Sequence, residues 1–380
     1  MSGRKFVLAP NPFKGTMLPD EISQIMARAL GLVFPGCECI RIPMADGGEG
    51  TTRALCESLG GELRHTVVQG PFGRAKSATY GILPGGVGVV EAAEACGLSL
   101  AKPNLDPEIT TSYGLGELIR ACIQDGCRAV LVGLGGTATN DGGCGAAAAL
   151  SAVFRDREGK SFVPVGGTLK DIVSIDVTGL RATLKGERII GMCDVFAPLT
   201  GPTGAAFVYG PQKGAGPEKV KRLDAGLAHL ADQIEKDLGI DERNVKGAGA
   251  AGGLGYGLRC LLGGELKGGA QAVLDYADFD KLAKGADLVF TGEGKVDYQT
   301  LQGKGVLGVA QKAKKLDIPV VVVAGDVGVG YEPLYDNGVT AVFSINRVAI
   351  PRVEAKLRAR EDLFSTMVEI GRLIKGLWRD

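Results

Sequence analysis

Sixty glycines, gathered in short clusters that separate apolar segments, constrain this chain more than any other feature. The count is more than twice the roughly 7% background of average proteins. Glycine lets the backbone turn through left-handed angles or approach a partner closely. Clusters repeated where a strand-like run hands over to a helix-like one therefore point to a layered α/β fold. Its loops would cradle an anion with backbone amides.

The apolar pattern opens as βαβα, with a strand over 6–9, a helix over 20–32, a strand over 39–43 and a helix over 49–59. Ile22, Ile25, Met26 and Ala29 share one face of the first helix. From 63 to 90 the texture becomes alternating and turn-punctuated, with turns at 70–73 and 84–86. A helix over 114–124, a buried strand over 129–134, a small-residue helix over 146–154, a strand over 189–192 and a helix over 220–238 follow. The doubly wound rhythm returns with strands over 288–291, 319–324 and 341–344 and a helix over 307–315. Continuous Val/Ile runs of this kind belong to strands buried on both faces. A closing helix over 353–378 carries Leu363, Met367, Ile370, Ile374 and Leu377 at helical spacing. The simplest arrangement is an α/β protein of two domains. Residues 1–62 and 286–380 build a parallel sheet from both chain ends, and residues 63–285 form an inserted mixed α/β domain.

Charge and cysteine content remove several classes. The 43 basic and 43 acidic side chains cancel, so no net field draws the chain to nucleic acid or an anionic membrane. The longest apolar runs, 318–324 and 146–154, fall far short of the roughly 20 residues of a bilayer span. The polar start leads straight into a strand without a signal-peptide core, so a cytoplasmic location is expected. Nine scattered cysteines and only His65 and His229 as imidazoles argue against zinc sites and disulfide frameworks.

Several loops follow strands and carry chemistry-bearing residues. In the first, APNPFKGT, Lys14 stands where ligands collect, at the carboxyl end of a sheet. The second, MADGGEGT, has Asp46 and Glu49 at capping-box spacing, with Gly47 and Gly48 between them indicating close backbone approach. The third, GLGGTATNDGG, joins Gly135, Gly136, Thr137, Thr139, Asn140 and Asp141 at a strand-to-helix junction, the setting of an anion nest. In the fourth, Asp194 follows a strand, and Lys213 comes later in YGPQKGA. Asp194 is compatible with a strand-end cap, a Mg²⁺ ligand or a base that orients a hydroxyl. The fifth, GAGAAGGLGYG, includes Gly252 and Gly253 and reads as a helix start packed closely against a neighbour or ligand. The sixth, FTGEGKVD, offers Glu293 and Asp297 with Thr300 behind them. Hard-oxygen donors, lysines and glycine nests are what phosphoryl transfer requires.

Absent motifs narrow the choice. Gly159-Lys160-Ser161 lacks the glycine five places earlier that a P-loop needs, and there is no G-x-S-x-G elbow. A nicotinamide dehydrogenase would rest on 247–257 alone, and a non-catalytic sugar-acid binder would leave the acid-bearing loops without purpose.

Taken in order, APNPFKGT, PMADGGEGT, GLGGTATNDGG, CDVFAPLTGPTGAA with YGPQKGA, GAGAAGGLG and FTGEGKVD closely resemble the motif series of the bacterial-type glycerate kinase family, glycerate kinase type 1. The likeness spans residues 7 to about 344. It implies ATP as donor, Mg²⁺ as cofactor and D-glycerate as acceptor, usually phosphorylated at the 2-hydroxyl; the alternatives are 3-phosphoglycerate as product or another small hydroxy acid as substrate. It also implies one Rossmann- or flavodoxin-like domain and an active site in the interdomain cleft. By position, Lys14 and Lys213 would neutralise phosphate or carboxylate, and Asp46, Asp194, Glu293 and Asp297 would serve Mg²⁺ or act as base, Asp194 first among them. Lys14 and Asp46 would also belong to the catalytic set. The loop from Gly135 to Asp141, with Gly47, Gly48, Gly252, Gly253 and Glu293, would bind nucleotide or substrate. Asn11 and Pro12 stand where the family usually has Asp and Ser, which puts substrate choice at that loop in question. Whether the chain acts alone or as a homo-oligomer is left open.

Overall fold

The computed structural model describes residues 3–13, 15–42, 44–45, 47–301 and 305–378, with Arg352 described by its backbone alone. Lys14 and Asp46 lie outside the described residues. The strands, in chain order, are β1 (Lys5–Pro10), β2 (Glu38–Arg41), β3 (Glu62–Gln69), β4 (Ala75–Leu83), β5 (Val87–Glu91), β6 (Ala129–Gly133), β7 (Val153–Arg155), β8 (Ser161–Phe162), β9 (Ser174–Asp176), β10 (Arg188–Met192), β11 (Glu265–Lys267), β12 (Leu288–Gly292), β13 (Val320–Ala324) and β14 (Val339–Ser344).

The chain divides into two compact units, one of Met1–Ala45 with Gly269–Asp380 and one of Asp46–Gly268. These boundaries differ from 62/63 and 285/286, and packing explains the difference. The helix Thr51–Leu59 lies on the β3–β4 hairpin, where a Cβ on Gly81 would stand 2.4 Å from Cys56 Sγ, so this helix joins the second unit. The helix Gly269–Tyr276 is tied to the helix Gly305–Lys315 by an ion pair of 3.1 Å between Asp275 and Lys312, so it joins the first.

The first unit is a five-stranded parallel sheet in the order β14-β13-β12-β1-β2. Its central strands are buried end to end, as their unbroken apolar runs require. Counted within the unit, the order is 2-1-3-4-5, the flavodoxin-like version of the doubly wound fold, with its switch point between β1 and β12. The helices Pro19–Val33 and Arg352–Leu377 cover one face through Ile22, Met26, Leu30, Leu363 and Met367. Each of these fully buried side chains contributes about 1.5–3 kcal/mol. Leu377, expected on the buried face, is 72% exposed, and its neighbour Trp378 instead stacks on Phe6 of β1 at 6.3 Å between ring centroids.

The second unit holds a six-stranded sheet in the order β11-β10-β6-β5-β4-β3, in which β5, β6, β10 and β11 are parallel and β3 and β4 form an antiparallel hairpin arm. A small antiparallel sheet, β8-β7-β9, packs beside it. The helix expected over 146–154 is shorter, Cys144–Ala149. Ser151 adopts φ +80°, which ends the helix and turns the chain so that Phe154 lies in β7. Among the described residues, no helix is long and apolar enough to cross a membrane.

Candidate active site

In the second unit the carboxyl ends of β5, β6 and β10 come level, with Glu91 opposite Gly133 and Gly133 opposite Met192. Three loops leave this edge or border it, and glycine lets them touch. A Cβ on Gly133 would stand 2.6 Å from the Gly47 carbonyl oxygen, and one on Gly135 would stand 3.0 Å from Gly48 Cα. Gly47, at φ +78°, leaves no room for a Cβ beside Met192. The Gly135 N–H donates to the Gly47 oxygen at 3.3 Å. Much of the glycine demand in these motifs is thus loop-on-loop packing.

The sequence-derived candidates separate by depth. Gly48, Gly135 and Gly136 present surface, and Asp194 is exposed just beyond β10. Thr137, Thr139, Asn140, Asp141, Lys213, Gly47, Gly252 and Gly253 are buried. The buried ones pack beneath the loop, and the exposed ones face outward. Asp141 accepts hydrogen bonds from Ser112 N–H and Oγ, both at 2.8 Å, and from the N–H groups of Gly143 and Gly145. Burial pushes its pKa upward, and those four donors oppose the rise. Gly252, at φ +72°, lies so close to the loop that a Cβ would stand 2.0 Å from the Thr139 carbonyl oxygen. The neighbour expected for GAGAAGGLG is this loop.

Lys213 donates from Nζ to the Thr139 carbonyl at 2.6 Å and to Thr137 Oγ1 at 3.4 Å. Burial lowers its pKa to about 8, against the opposing pull of Cys96 and Asp141. The side-chain amide of Asn140, buried in the same loop, finds no protein hydrogen-bond partner at either of its polar atoms.

Glu91 was not among the sequence-derived candidates. Its carboxylate accepts from Gly50 N–H at 2.9 Å and Thr52 N–H at 2.7 Å, capping the helix Thr51–Leu59 from another strand. Burial raises its pKa and the two N–H donors oppose the rise. An acid closing the apolar run VGVVE was the signal available.

In the first unit a cavity of about 570 Å³ opens at the switch point, lined among others by Pro12, Phe13, Glu293, Asp297, Asp326 and Lys356. Thr300 Oγ1 donates to Glu293 at 2.5 Å and accepts from the Asp297 N–H at 3.1 Å. Asp297 also accepts from Gln299 N–H at 2.9 Å and pairs with Lys295 Nζ at 3.0 Å; these contacts hold its carboxyl below the usual range. Asn11 lies against the start of the helix Gly305–Lys315, where a Cβ on Gly305 would stand 2.2 Å from Asn11 Nδ2. Two acids, a lysine and hydroxyl donors at a sheet's carboxyl end make a setting for phosphates and a hard cation.

Comparison with known proteins bears on what this arrangement does. The family model described as the glycerate kinase family matches residues 6–375. A Bacillus subtilis (strain 168) protein named glycerate kinase is 42% identical over 373 residues, covering 98% of both chains. An Escherichia coli (strain K12) protein named glycerate 2-kinase is 40% identical over 347 residues, covering 90% of both. The crystal structure of a Salmonella typhimurium LT2 protein assigned as glycerate kinase 2 superposes with a TM-score of 0.87 at 38% identity, covering 98% of this chain and 99% of that one.

Proposed function

Because the chain belongs to the glycerate kinase family, we propose that it transfers the γ-phosphoryl group of ATP to the 2-hydroxyl of D-glycerate, giving 2-phospho-D-glycerate and ADP. The observation that carries this reading is the glycine loop after β6, whose surface-facing Gly135 and Gly136 expose backbone at a strand-to-helix junction above a buried lysine. Kinase chemistry of this type is chiefly positioning and charge neutralisation, which backbone amides and fixed cations supply.

In the step itself, the C2 hydroxyl oxygen forms a bond to the γ-phosphorus as the bond to the β,γ-bridging oxygen breaks and ADP leaves. The hydroxyl proton passes to a carboxylate, and Asp194, exposed at the end of β10, is the group assigned to take it. Gly48, Gly135 and Gly136 meet the nucleotide phosphates. Lys213 lends positive potential from below without touching them. Lys14 and Asp46 keep the assignments that the family likeness gives them.

Magnesium fits the acids of the first unit. Glu293 and Asp297 offer hard oxygens to one cavity, and the Lys295 ammonium already stands beside Asp297 as a cation would. Bound there, Mg²⁺ would supply positive charge that neutralises the phosphates. Nine cysteines with no disulfide among the described residues, together with ATP as donor, support a cytoplasmic location.

The test is ³¹P NMR of the product after purified protein is incubated with Mg-ATP and D-glycerate. A 2-phosphoglycerate resonance is expected. A 3-phosphoglycerate resonance overturns the regiochemistry, and absence of turnover moves the substrate to another hydroxy acid and directs attention to Asn11 and Pro12.

A further inference from the structure

We infer that Thr300 is a positioning residue that locks Glu293 and Asp297 into a single two-carboxylate unit for the cation; the inference rests on the metal role given to those two acids above. Thr300 lies in the short 3₁₀ turn Tyr298–Leu301 and is 5% exposed. A hydroxyl has one proton to give, and here it goes to Glu293 at 2.5 Å. Its lone pair accepts the Asp297 N–H at 3.1 Å. One side chain therefore fixes the carboxylate of the first acid and the backbone of the second.

The rest of the loop completes the device. Gln299 N–H occupies one oxygen of Asp297, at 2.9 Å. The other oxygen faces the Lys295 ammonium at 3.0 Å, and Lys295 is about half exposed and can swing away. Thr300 thus sets where Glu293 points and holds the backbone that carries Asp297, while the Lys295 ammonium stands at the second Asp297 oxygen, where a divalent ion would compete with it. Groups that orient metal ligands in this way typically alter affinity or activity about 10–100-fold when removed.

The test compares Thr300→Val, Thr300→Ser and Glu293→Gln by electron paramagnetic resonance titration with Mn²⁺ alone, alongside steady-state kinetics. The valine variant keeps shape and loses the hydroxyl, and is expected to weaken Mn²⁺ binding about 10–100-fold, with serine restoring most of it. Its kinetic signature is a raised requirement for Mg²⁺ at near-parental KM for glycerate. If melting shows that the valine variant has lost its fold, Thr300→Ala takes its place. Weakened binding in Glu293→Gln with parental binding in Thr300→Val overturns this inference alone. Parental binding in both overturns the metal role of the acids and the inference with it.

Discussion

The ammonium of Lys213 sits 2.6 Å from the carbonyl oxygen of Thr139, so a buried cation underlies the glycine loop of the second unit. Its pKa of about 8, against the ordinary 10.5, gives that burial a pH signature. Below about pH 8 both the folded and unfolded chains carry the proton, and the burial cost is fully present. Between about 8 and 10.5 the unfolded chain binds more protons on this residue, so its contribution to stability improves as pH rises. The gap corresponds to about 3 kcal/mol at most. Denaturant unfolding of the parent and Lys213→Met at pH 7.5 and 10 should show the parent gaining relative to the variant. A pH-independent difference refutes the shift.

Gly252 packs against the same Thr139 carbonyl oxygen. An alanine there combines a left-handed φ of +72° with a Cβ 2.0 Å from a carbonyl oxygen. Gly252→Ala is expected to cost about 2–5 kcal/mol and to lower Tm by on the order of 5–15 °C. Gly31→Ala, in a helix with open space around it, should move Tm slightly upward. Scanning calorimetry of the two variants checks the contrast.

Glu91 holds the start of the helix Thr51–Leu59 through two N–H groups, and the Gly47–Gly50 loop hangs from that start. Glu91→Ala strands both donors and should cost about 2 kcal/mol or more, with KM for ATP rising more than kcat falls. Glu91→Gln keeps one acceptor and should fall between. Steady-state kinetics with thermal melts would refute the idea if alanine were neutral in both.

Asp194→Asn keeps the shape at the end of β10 and removes the proton acceptor. Turnover should drop about 10²–10⁴-fold with little change in ATP binding. Near-parental kcat would transfer the base role to another acid.

The strands that position these residues were legible because burial on both faces writes itself as an unbroken apolar run, as in Val320–Ala324. β11, three half-buried residues at a sheet edge, carries no such run and left no trace in the pattern. The glycines were legible as points of close approach, while the identity of the approaching group was not. Gly47 answers to Met192 and Gly252 to Thr139, contacts that exist only once distant segments are brought together. Lys213 was legible as a cation of the YGPQKGA motif, while its place beneath the loop follows from tertiary packing alone. Asp141 was picked out by motif, while the four local donors that hold its carboxylate were not legible.

The pairing of β1 with β12 also sets a timetable for synthesis. Ala9 and Thr291, joined by a hydrogen bond across those strands, are 282 residues apart in the chain. At about 5–20 residues per second, the opening strand leaves the ribosome on the order of tens of seconds before its partner exists. The contiguous unit Asp46–Gly268 is complete in the meantime and can fold first. The opening β1–β2 segment must wait with the β12-facing edge of β1 unpaired, the kind of edge that invites pairing with another chain.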